Sequence, residues 1–499
     1  MQRDLLWLQI GKSAWERAAM VALLALAVLT AAAALRSFEY DEAYTFFLTS
    51  GVPRPDWPET PFHAGDMRGF FHAQAPLRTI APALRATDVH PPIYFWAVDL
   101  WRRIFGDGLF SARLFSVACT LAALAAVACI ARAAGIPVTA SVLITLGCYG
   151  FTYTGSVARG FALAQALSLW GAALALVSTR NHALLMAGIA GLLLGAATAT
   201  NYLAVFVAAA VLLWLLTERE FCLFGLAGAG FAAFVPLDLW FFAAQHGSRA
   251  GQFPPFAWIS GMIRLARCFA GALLGALPLY LSSPGSLILQ VALGLFLAGL
   301  VLLVIVRSRR IADANSRRLI ALGAVAPGLG LLLLGLVFNN TPIEVRYLSF
   351  AMPFCALLLA GTAARRVLLA LGCIQILSIA GLLFGSETMQ PARGAAMAAA
   401  SLAGRDGLVL LPYGNDGVGV VGPFVAEAPD WLRILVIRPG STKQDLAAAV
   451  SGTDRIILAL LGPDETSRGT SAFLRTAFAA PCWEVTDARA EVVALKRTC

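Results

Sequence analysis

Two adjacent acids, Asp41 and Glu42, stand in the segment FEYDEAYT at positions 38–45, shortly after the first strongly apolar stretch of the chain. Carboxylates are costly to desolvate near a bilayer, so acids held there indicate a functional site. A positioned carboxylate can take a proton from an attacking hydroxyl group or give one to a leaving group. Consecutive helical residues point about 100° apart, so one acid can face a substrate while its neighbour supports the scaffold. The surrounding aromatic residues, Tyr44 among them, favour this interpretation over a solvated helix end.

The segment HPPIY at positions 90–94 begins with a histidine that could bind an anion. Two prolines suit the first turn of a helix because their φ is fixed and they lack a backbone N–H. His90 would then lie near the positive end of that helix, with Tyr94 in the same motif. A simple helix-start signal with an exposed histidine is the alternative.

Two arginines, Arg159 and Arg346, are predicted at turns on the outer side of a membrane, against the usual inward bias of positive charge. A guanidinium group can hold phosphate through two parallel hydrogen bonds, so each arginine is a candidate for phosphate binding. Pairing with a neighbouring carboxylate, Glu344 in the case of Arg346, is the alternative and stays open.

Three further residues are weaker candidates for substrate binding. Asn201 and Tyr202 interrupt two apolar runs near the same predicted surface, a pattern more typical of a turn than of a site. Arg249 lies in the polar loop predicted at 244–285.

Acids and lysines are rare enough to narrow the choice of catalytic groups. No acid occurs between Asp107 and Glu218, and the lysines are confined to positions 12, 443 and 496. An anion held at the membrane must therefore be bound by arginine, histidine or backbone. Nothing demands a metal ion, since the nine cysteines include no Cys-x-x-Cys motif, although a divalent metal stays compatible with the acids present. Cys482 and Cys499 could form a disulfide in an oxidising compartment or remain two free thiols.

Composition indicates the elements that must position these residues. Hydrophobic residues make up 59% of the 499-residue chain and charged residues only 13%, far from the composition of a soluble globular protein. Much of the net charge of +9 comes from arginines that flank apolar runs, so it indicates membrane topology rather than nucleic-acid binding. We therefore predict a polytopic α-helical membrane protein.

Apolar runs of membrane-spanning length predict eleven transmembrane helices. They lie at 18–35, 110–131, 137–155, 158–178, 183–199, 202–217, 221–243, 286–306, 318–338, 345–361 and 366–384. Two further segments, 91–105 and 262–281, contain arginines and would raise the number to thirteen. With the N-terminus inside, either number places Asp41 and the C-terminal tail on the outer side.

The chain is predicted to divide into a membrane module at 1–385, with a long first outer loop at about 36–109, and a small α/β domain at 386–499. Short β-rich runs at 407–411, 433–437, 455–460 and 491–495 alternate there with helical stretches at 391–403 and 443–450. The tail lacks a phosphate-binding glycine loop, because GNDG at 414–417 reads as a turn. We therefore predict an accessory role for this tail domain.

With these residues in view, the chain resembles the GT-C fold glycosyltransferases, in the branch of family 39 that holds the protein mannosyltransferases and the aminoarabinose transferases. The resemblance rests on YDEAY at 40–44, HPPIY at 90–94, FGD at 105–107, SARLFS at 111–116, ARGFAL at 158–163, NYLAVF at 201–206 and RYL at 346–348. It covers about residues 15–385.

The resemblance implies an inverting transfer of a sugar from a polyprenyl-phosphate donor to a glycan, lipid or protein acceptor. Asp41 would be the catalytic base and Glu42 its support. Tyr44, His90, Tyr94, Arg159, Asn201, Tyr202, Arg249, Glu344 and Arg346 would bind substrate. The excess of arginine over lysine, 34 to 3, and the abundance of alanine suggest a GC-rich bacterial genome, so we predict a bacterial inner membrane with the site facing the periplasm.

Two other functions compete with this interpretation. A polysaccharide ligase or polymerase would also use a lipid-linked donor, but we would expect its basic and histidine residues in a large late loop. A transporter should carry polar residues at mid-helix and an internal repeat, whereas the helices predicted between 110 and 217 lack acids at any depth.

Overall fold

The computed structural model describes residues 12–246, 254–275, 285–385, 392–462, 464–479, 481–489 and 491–499. By their contacts these residues form two compact units. The first unit comprises the described parts of Met1–Leu35, Val89–Tyr94 and Arg113–Gly385, and the second comprises those of Arg36–Asp88, Phe95–Ala112 and Ser386–Cys499. The second unit therefore joins most of the predicted first loop to the predicted tail.

Helices dominate the described chain. In order they are α1 (Lys12–Leu35), α2 (Tyr40–Ser50), α3 (Gly69–His72), α4 (Leu77–Thr87), α5 (Ile93–Phe105), α6 (Leu109–Ala133), α7 (Val138–Gly147), α8 (Tyr149–Gly155), α9 (Phe161–Asn181), α10 (Leu184–Thr198), α11 (Val205–Thr217), α12 (Phe221–Ala232), α13 (Val235–Gln245), α14 (Trp258–Leu274), α15 (Gly285–Arg307), α16 (Ala314–Phe338), α17 (Met352–Thr362), α18 (Arg365–Phe384), α19 (Ala392–Ala403), α20 (Val421–Glu427), α21 (Lys443–Ala449) and α22 (Glu465–Ala477). Short 3₁₀ helices lie at Ala64–Met67, Tyr202–Ala204, Ser308–Arg310 and Val345–Phe350.

Each of the eleven predicted membrane segments coincides with a helix or a pair of helices. Within the described residues, six helices are long and apolar enough to cross a membrane, and α12 with α13 makes a further pair bent by 48°. Four shorter apolar helices, α7, α10, the Tyr202–Thr217 stretch and α17, correspond to the remaining segments. The two further segments, 91–105 and 262–281, form α5 and α14, which are not long and apolar enough to count among these candidate spans. The prediction of eleven to thirteen spans stays a prediction, because several of these helices are short.

Small residues let two helices of the first unit approach closely. A Cβ on Gly191 of α10 would lie 2.0 Å from the carbonyl oxygen of Ala227 on α12, and one on Gly230 would lie 2.6 Å from that of Gly188. Close backbone approach through glycine is the usual way in which membrane helices gain packing contacts. This contact packs α10, which leads to Asn201 and Tyr202, directly against α12.

The second unit is built on one mixed β-sheet. Its strands are β1 (Phe62–His63), β2 (Leu408–Pro412), β3 (Arg433–Ile437), β4 (Arg455–Ala459), β5 (Trp483–Arg489) and β6 (Val492–Arg497), in the order β1-β3-β2-β4-β6-β5. Strands β3, β2 and β4 are parallel, and the other neighbours pair antiparallel. The apolar strands are covered by α21 and α22, whose Leu446 and Leu474 pack on Leu410 and Leu458.

The predicted small α/β domain is confirmed by this architecture. Four of its strands and two of its helices lie where the sequence places them, and the tail is closed by a Cys482–Cys499 disulfide. The sequence did not indicate β1, β5, α20 or α22. Strand β5 is mostly exposed and polar, so it lacks the apolar alternation by which strands are recognised. The separate roles assigned to 1–385 and 386–499 stay a prediction.

Candidate active site

Helix α2 of the second unit carries the two acids, and its first turn is held by a reciprocal cap. Glu39 is the N-cap residue, and its side chain accepts a hydrogen bond from the backbone N–H of Glu42. The Glu42 side chain in turn accepts a bond of 2.9 Å from the backbone N–H of Glu39. Such a capping box satisfies two donors that a helix start would otherwise leave without partners. Glu42 is fully buried, which is consistent with its predicted supporting role.

Asp41 lies between these two residues but differs from them in exposure. Glu39 is buried and forms an ion pair with Arg36, and Glu42 is committed to the cap, whereas Asp41 is partly exposed. Its position in the first turn of a helix is one where the aligned peptide dipoles favour negative charge. Of the three acids at this helix start, Asp41 is the most exposed.

Arg102 holds the other end of α2. This arginine is only 1% exposed, and it donates hydrogen bonds to Thr49 Oγ1 and to the carbonyl oxygen of Phe71, each at 2.7 Å. Its guanidinium carbon lies 4.2 Å from the centre of the Phe46 ring, within cation–π range. One of the two arginines of segment 91–105 is thus buried against the first loop.

His90 and Arg159 contact each other in the first unit. The Nη2 atom of Arg159 lies 3.0 Å from Nδ1 of His90, and Arg159 is 3% exposed. A guanidinium group can only donate, so Nδ1 must accept and the imidazole proton lies on Nε2. The pair therefore presents a buried positive charge and an N–H donor, which together suit a phosphate group.

Gln245, at the end of α13, joins this pair to Tyr202. Its Nε2 atom donates to the carbonyl oxygen of His90 at 3.2 Å, and its Oε1 atom accepts from the Tyr202 hydroxyl at 2.9 Å. Gln245 is 4% exposed, so the bridge is shielded from solvent. The sequence did not indicate Gln245, because a single amide at the end of an apolar helix carries no motif.

Asn201 begins the 3₁₀ helix that carries Tyr202. Its side-chain oxygen caps that helix by accepting from the backbone N–H of Leu203 at 3.1 Å, as the turn interpretation expects. Its Nδ2 atom is buried and has no hydrogen-bond partner among the described residues. A buried donor left in this way costs free energy unless a ligand supplies an acceptor.

The turn at 156–160 packs tightly against this cluster. A Cβ on Gly160 would lie 3.1 Å from the carbonyl oxygen of Thr200 and 3.3 Å from the Cβ of Tyr94. Tyr94 is fully buried, and its ring centre lies 6.1 Å from that of Phe115. Glycine at 160 therefore allows Arg159 to approach His90.

Arg346 has a carboxylate beside it. Its Nε atom lies 2.6 Å from Oε2 of Glu344, so the pairing alternative is the arrangement found. The neighbouring Tyr347 ring stacks 6.3 Å from that of Phe161, which brings the two arginine-bearing turns of this unit near each other. Substrate binding by Arg346, Glu344 and Arg159 stays a prediction.

Tyr44 and Arg249 were also predicted to bind substrate. In the structure the Tyr44 hydroxyl donates a hydrogen bond to Asp416 at 2.6 Å. Arg249 lies outside the described residues. Across the parts of the chain that the structure describes, no group of three or more His, Cys, Asp or Glu side chains could hold a metal ion.

A family model described as dolichyl-phosphate-mannose-protein mannosyltransferase matches residues 89–240. The matched stretch contains His90, Arg159, Asn201 and Tyr202, and it spans less than half of the chain. No curated protein matches the sequence.

Crystal structures of ArnT from Cupriavidus metallidurans resemble the chain over nearly its whole length. The apo structure has a TM-score of 0.53 at 12% identity, over 97% of this chain and 98% of ArnT. The structure bound to undecaprenyl phosphate has a TM-score of 0.52 at 12% identity, with the same coverage. Arabinofuranosyltransferase AftD from Mycobacteria aligns at a TM-score of 0.43 and 13% identity, over 96% of this chain and 40% of AftD, which is too distant to support an inference.

The likeness to ArnT confirms the predicted fold. It extends through both the helical part and the strand-containing tail, because nearly all of each chain is aligned. The chain is a multi-pass membrane protein with the GT-C glycosyltransferase fold, and its residues 89–240 match the mannosyltransferase family model.

Proposed function

We propose that this protein is an inverting glycosyltransferase that moves a sugar from a polyprenyl-phosphate donor to an acceptor at the outer face of a bacterial inner membrane. The observation that carries the proposal is the contact between His90 and the buried Arg159, inside a fold shared with ArnT, a protein whose structure has been solved with undecaprenyl phosphate. A lipid-linked donor needs no nucleotide-binding loop, and the tail has none.

The reaction divides into two tasks for the residues of this chain. Asp41 takes the proton of the acceptor hydroxyl as its oxygen attacks the anomeric carbon and forms the new glycosidic bond. The bond between that carbon and the phosphate oxygen breaks, and the polyprenyl phosphate leaves with the electron pair. Attack from the side opposite the leaving group inverts the anomeric configuration.

Arg159 and His90 serve the departing phosphate. Negative charge grows on the phosphate oxygens as the bond breaks, and donors already in place stabilise that charge more in the transition state than in the ground state. Arg159 supplies charge, His90 supplies the Nε2–H donor, and the free amide of Asn201 can supply a further hydrogen bond. These three residues do not need to move a proton.

The disulfide of the tail supports the proposed side of the membrane. Disulfides persist in oxidising compartments such as the bacterial periplasm and are rare in the cytosol. The Cys482–Cys499 bond therefore favours a periplasmic tail, as the distribution of arginines does.

Reconstitution in liposomes tests the proposal. The purified protein would be mixed with a panel of undecaprenyl-phosphate hexoses and pentoses and with envelope lipids as acceptors. We expect loss of one donor, release of undecaprenyl phosphate and a glycosylated product by mass spectrometry, with inversion at the anomeric carbon by NMR. Failure to bind undecaprenyl phosphate at all would contradict the proposal.

A further inference from the structure

The loop that follows β2 in the second unit binds the middle of helix α2. The Tyr44 hydroxyl donates to Asp416 Oδ2 at 2.6 Å, and the hydroxyl groups of Tyr40 and Tyr44 lie 2.9 Å apart. Burial raises the pKa of the Tyr44 phenol far above its usual value, and the neighbouring Tyr40 and Asp416 add to this effect, so the phenol keeps its proton and donates a hydrogen bond to the carboxylate. Charge-assisted hydrogen bonds of this length are among the stronger contacts in proteins.

The same loop binds the chain just after α2. Arg54 Nη1 donates to Asp416 Oδ2 at 2.6 Å, and Trp57 Nε1 donates to the carbonyl oxygen of Gly417 at 2.6 Å. Arg438, directly after β3, donates to the carbonyl oxygen of Trp57 at 2.9 Å. The carboxyl ends of parallel strands are where open α/β sheets hold their ligands. In this sheet that edge holds the first loop of its own chain.

Glycines bring the tail backbone into direct contact with α2. A Cβ on Gly419 would lie 1.9 Å from Cε2 of Tyr40, and one on Gly422 would lie 3.0 Å from the Cβ of Ala43. Tyr40 and Ala43 flank the two acids in sequence. Glycine at these positions therefore lets the tail touch the turn that carries Asp41.

A second tail contact holds the residues before the cap of α2. The backbone N–H of Phe38 donates to Glu427 Oε1 at 2.6 Å. Arg393 binds Glu427 at 2.8 Å and donates to the carbonyl oxygen of Arg36 at 3.1 Å. Helix α2 is thus held by the tail both before its first turn and along one face.

We propose that Asp416 is a positioning residue for catalysis, which fixes helix α2 through Tyr44 and so orients the carboxylate of Asp41. This inference rests on the proposed function of Asp41 as the base. It makes the tail part of the catalytic apparatus rather than an accessory domain, because the edge of its sheet is occupied by the helix that carries the acid.

A double-mutant cycle in the full-length protein tests this proposal. We expect Asp416→Ala and Tyr44→Phe each to lower kcat about 10- to 100-fold, the range for a misplaced catalytic group, while KM for the lipid donor stays within about twofold. The double variant should be no slower than the slower single variant, because each change already breaks the bond between Tyr44 and Asp416. Multiplicative losses, or unchanged kcat in both single variants, would overturn the proposal.

Asp445→Ala is the matched control for general damage to the tail. Asp445 caps the exposed start of α21 by bonding Thr442, so its loss weakens the same domain at another place. We expect this variant to keep its kcat, and a loss equal to that of Asp416→Ala would show that tail stability alone matters and overturn the proposal.

Hydrogen exchange separates this inference from the proposed function. The exchange rate of the α2 amides, measured by mass spectrometry on peptides covering 38–50, needs no substrate. Faster exchange in Asp416→Ala but not in Asp445→Ala supports the contact even if the wild-type protein transfers no sugar, in which case only the proposed function fails. Equal protection in all three proteins would overturn the positioning role.

Discussion

The acid-bearing start of α2 and the His90–Arg159 cluster are held in place in different ways. At α2 the scaffold is supplied by Glu39, Glu42 and Arg102, and Asp41 is left partly exposed. In the cluster the groups suited to phosphate also carry the scaffold, since His90, Arg159 and Tyr202 are linked to one another directly or through Gln245. A mutation at the start of α2 can therefore change the proposed base without removing the residues that hold the helix. In the His90–Arg159 cluster, a mutation that removes a phosphate-binding group also removes a contact that holds the cluster together.

Asp41→Asn should cause the largest loss. Removing a general base typically costs about 10²- to 10⁴-fold in rate, and asparagine keeps the size of the side chain and a polar group in the first helical turn. We expect kcat for sugar transfer to fall in this range while thermal stability and undecaprenyl-phosphate binding stay unchanged. A variant that retains activity would remove Asp41 as the base.

Arg159→Gln should weaken binding of the lipid phosphate by about 10- to 100-fold, since a hydrogen bond to a charged group contributes about 1.5–3 kcal/mol. The affinity can be measured with undecaprenyl phosphate alone. Loss of the guanidinium also frees His90 Nδ1, so some loss of stability should accompany the effect.

Arg346→Gln is the matched control for Arg159→Gln. Its guanidinium lies against the Glu344 carboxylate, which offsets its charge and already accepts from one of its donors. We expect a small change in lipid affinity. Equal losses in the two variants would mean that both arginines hold phosphate and that the contrast between them is wrong.

The smallest effect should come from Glu42, and it should be on stability. Glu42→Ala removes the capping box and should cost about 1 kcal/mol, whereas Glu42→Gln should keep it, because glutamine serves equally well at this position. Thermal unfolding in detergent measures the difference. If Glu42→Gln lost as much turnover as Asp41→Asn, Glu42 would belong to the chemistry and not to the scaffold.

The sequence predicted the elements of this fold better than it predicted the contacts between side chains. All eleven apolar segments and four strands of the tail coincide with elements of the structure, because each leaves a continuous run of apolar residues. The turns that carry Arg159 and Arg346 were predicted as candidate sites because their positive charge lies on the outer side of the predicted membrane topology, where arginines are unusual. Whether Arg346 paired with Glu344 could not be decided, because an arginine beside a carboxylate fits either role.

Polar contacts between residues that are far apart in the chain could not be predicted from the sequence. Gln245 sits at the end of an apolar helix, and Asp416 sits in a segment that reads as a simple turn. Helical geometry predicted that Asp41 and Glu42 have different roles, and the resemblance to GT-C glycosyltransferases assigned the base to Asp41. In the structure the Glu42 side chain is buried in a cap, whereas Asp41 is partly exposed, and their catalytic roles stay predictions.

The bond between Tyr44 and Asp416 joins residues that are 372 positions apart in the chain. Synthesis proceeds from the N-terminus, so helix α2 emerges long before the loop that binds it has been made. The contact can form only after α18, the last apolar helix before the tail, has left the ribosome. The contact between the acid-bearing helix and the tail therefore forms late in biogenesis. A chain truncated before the tail would still insert its helices into the membrane but would lack this contact.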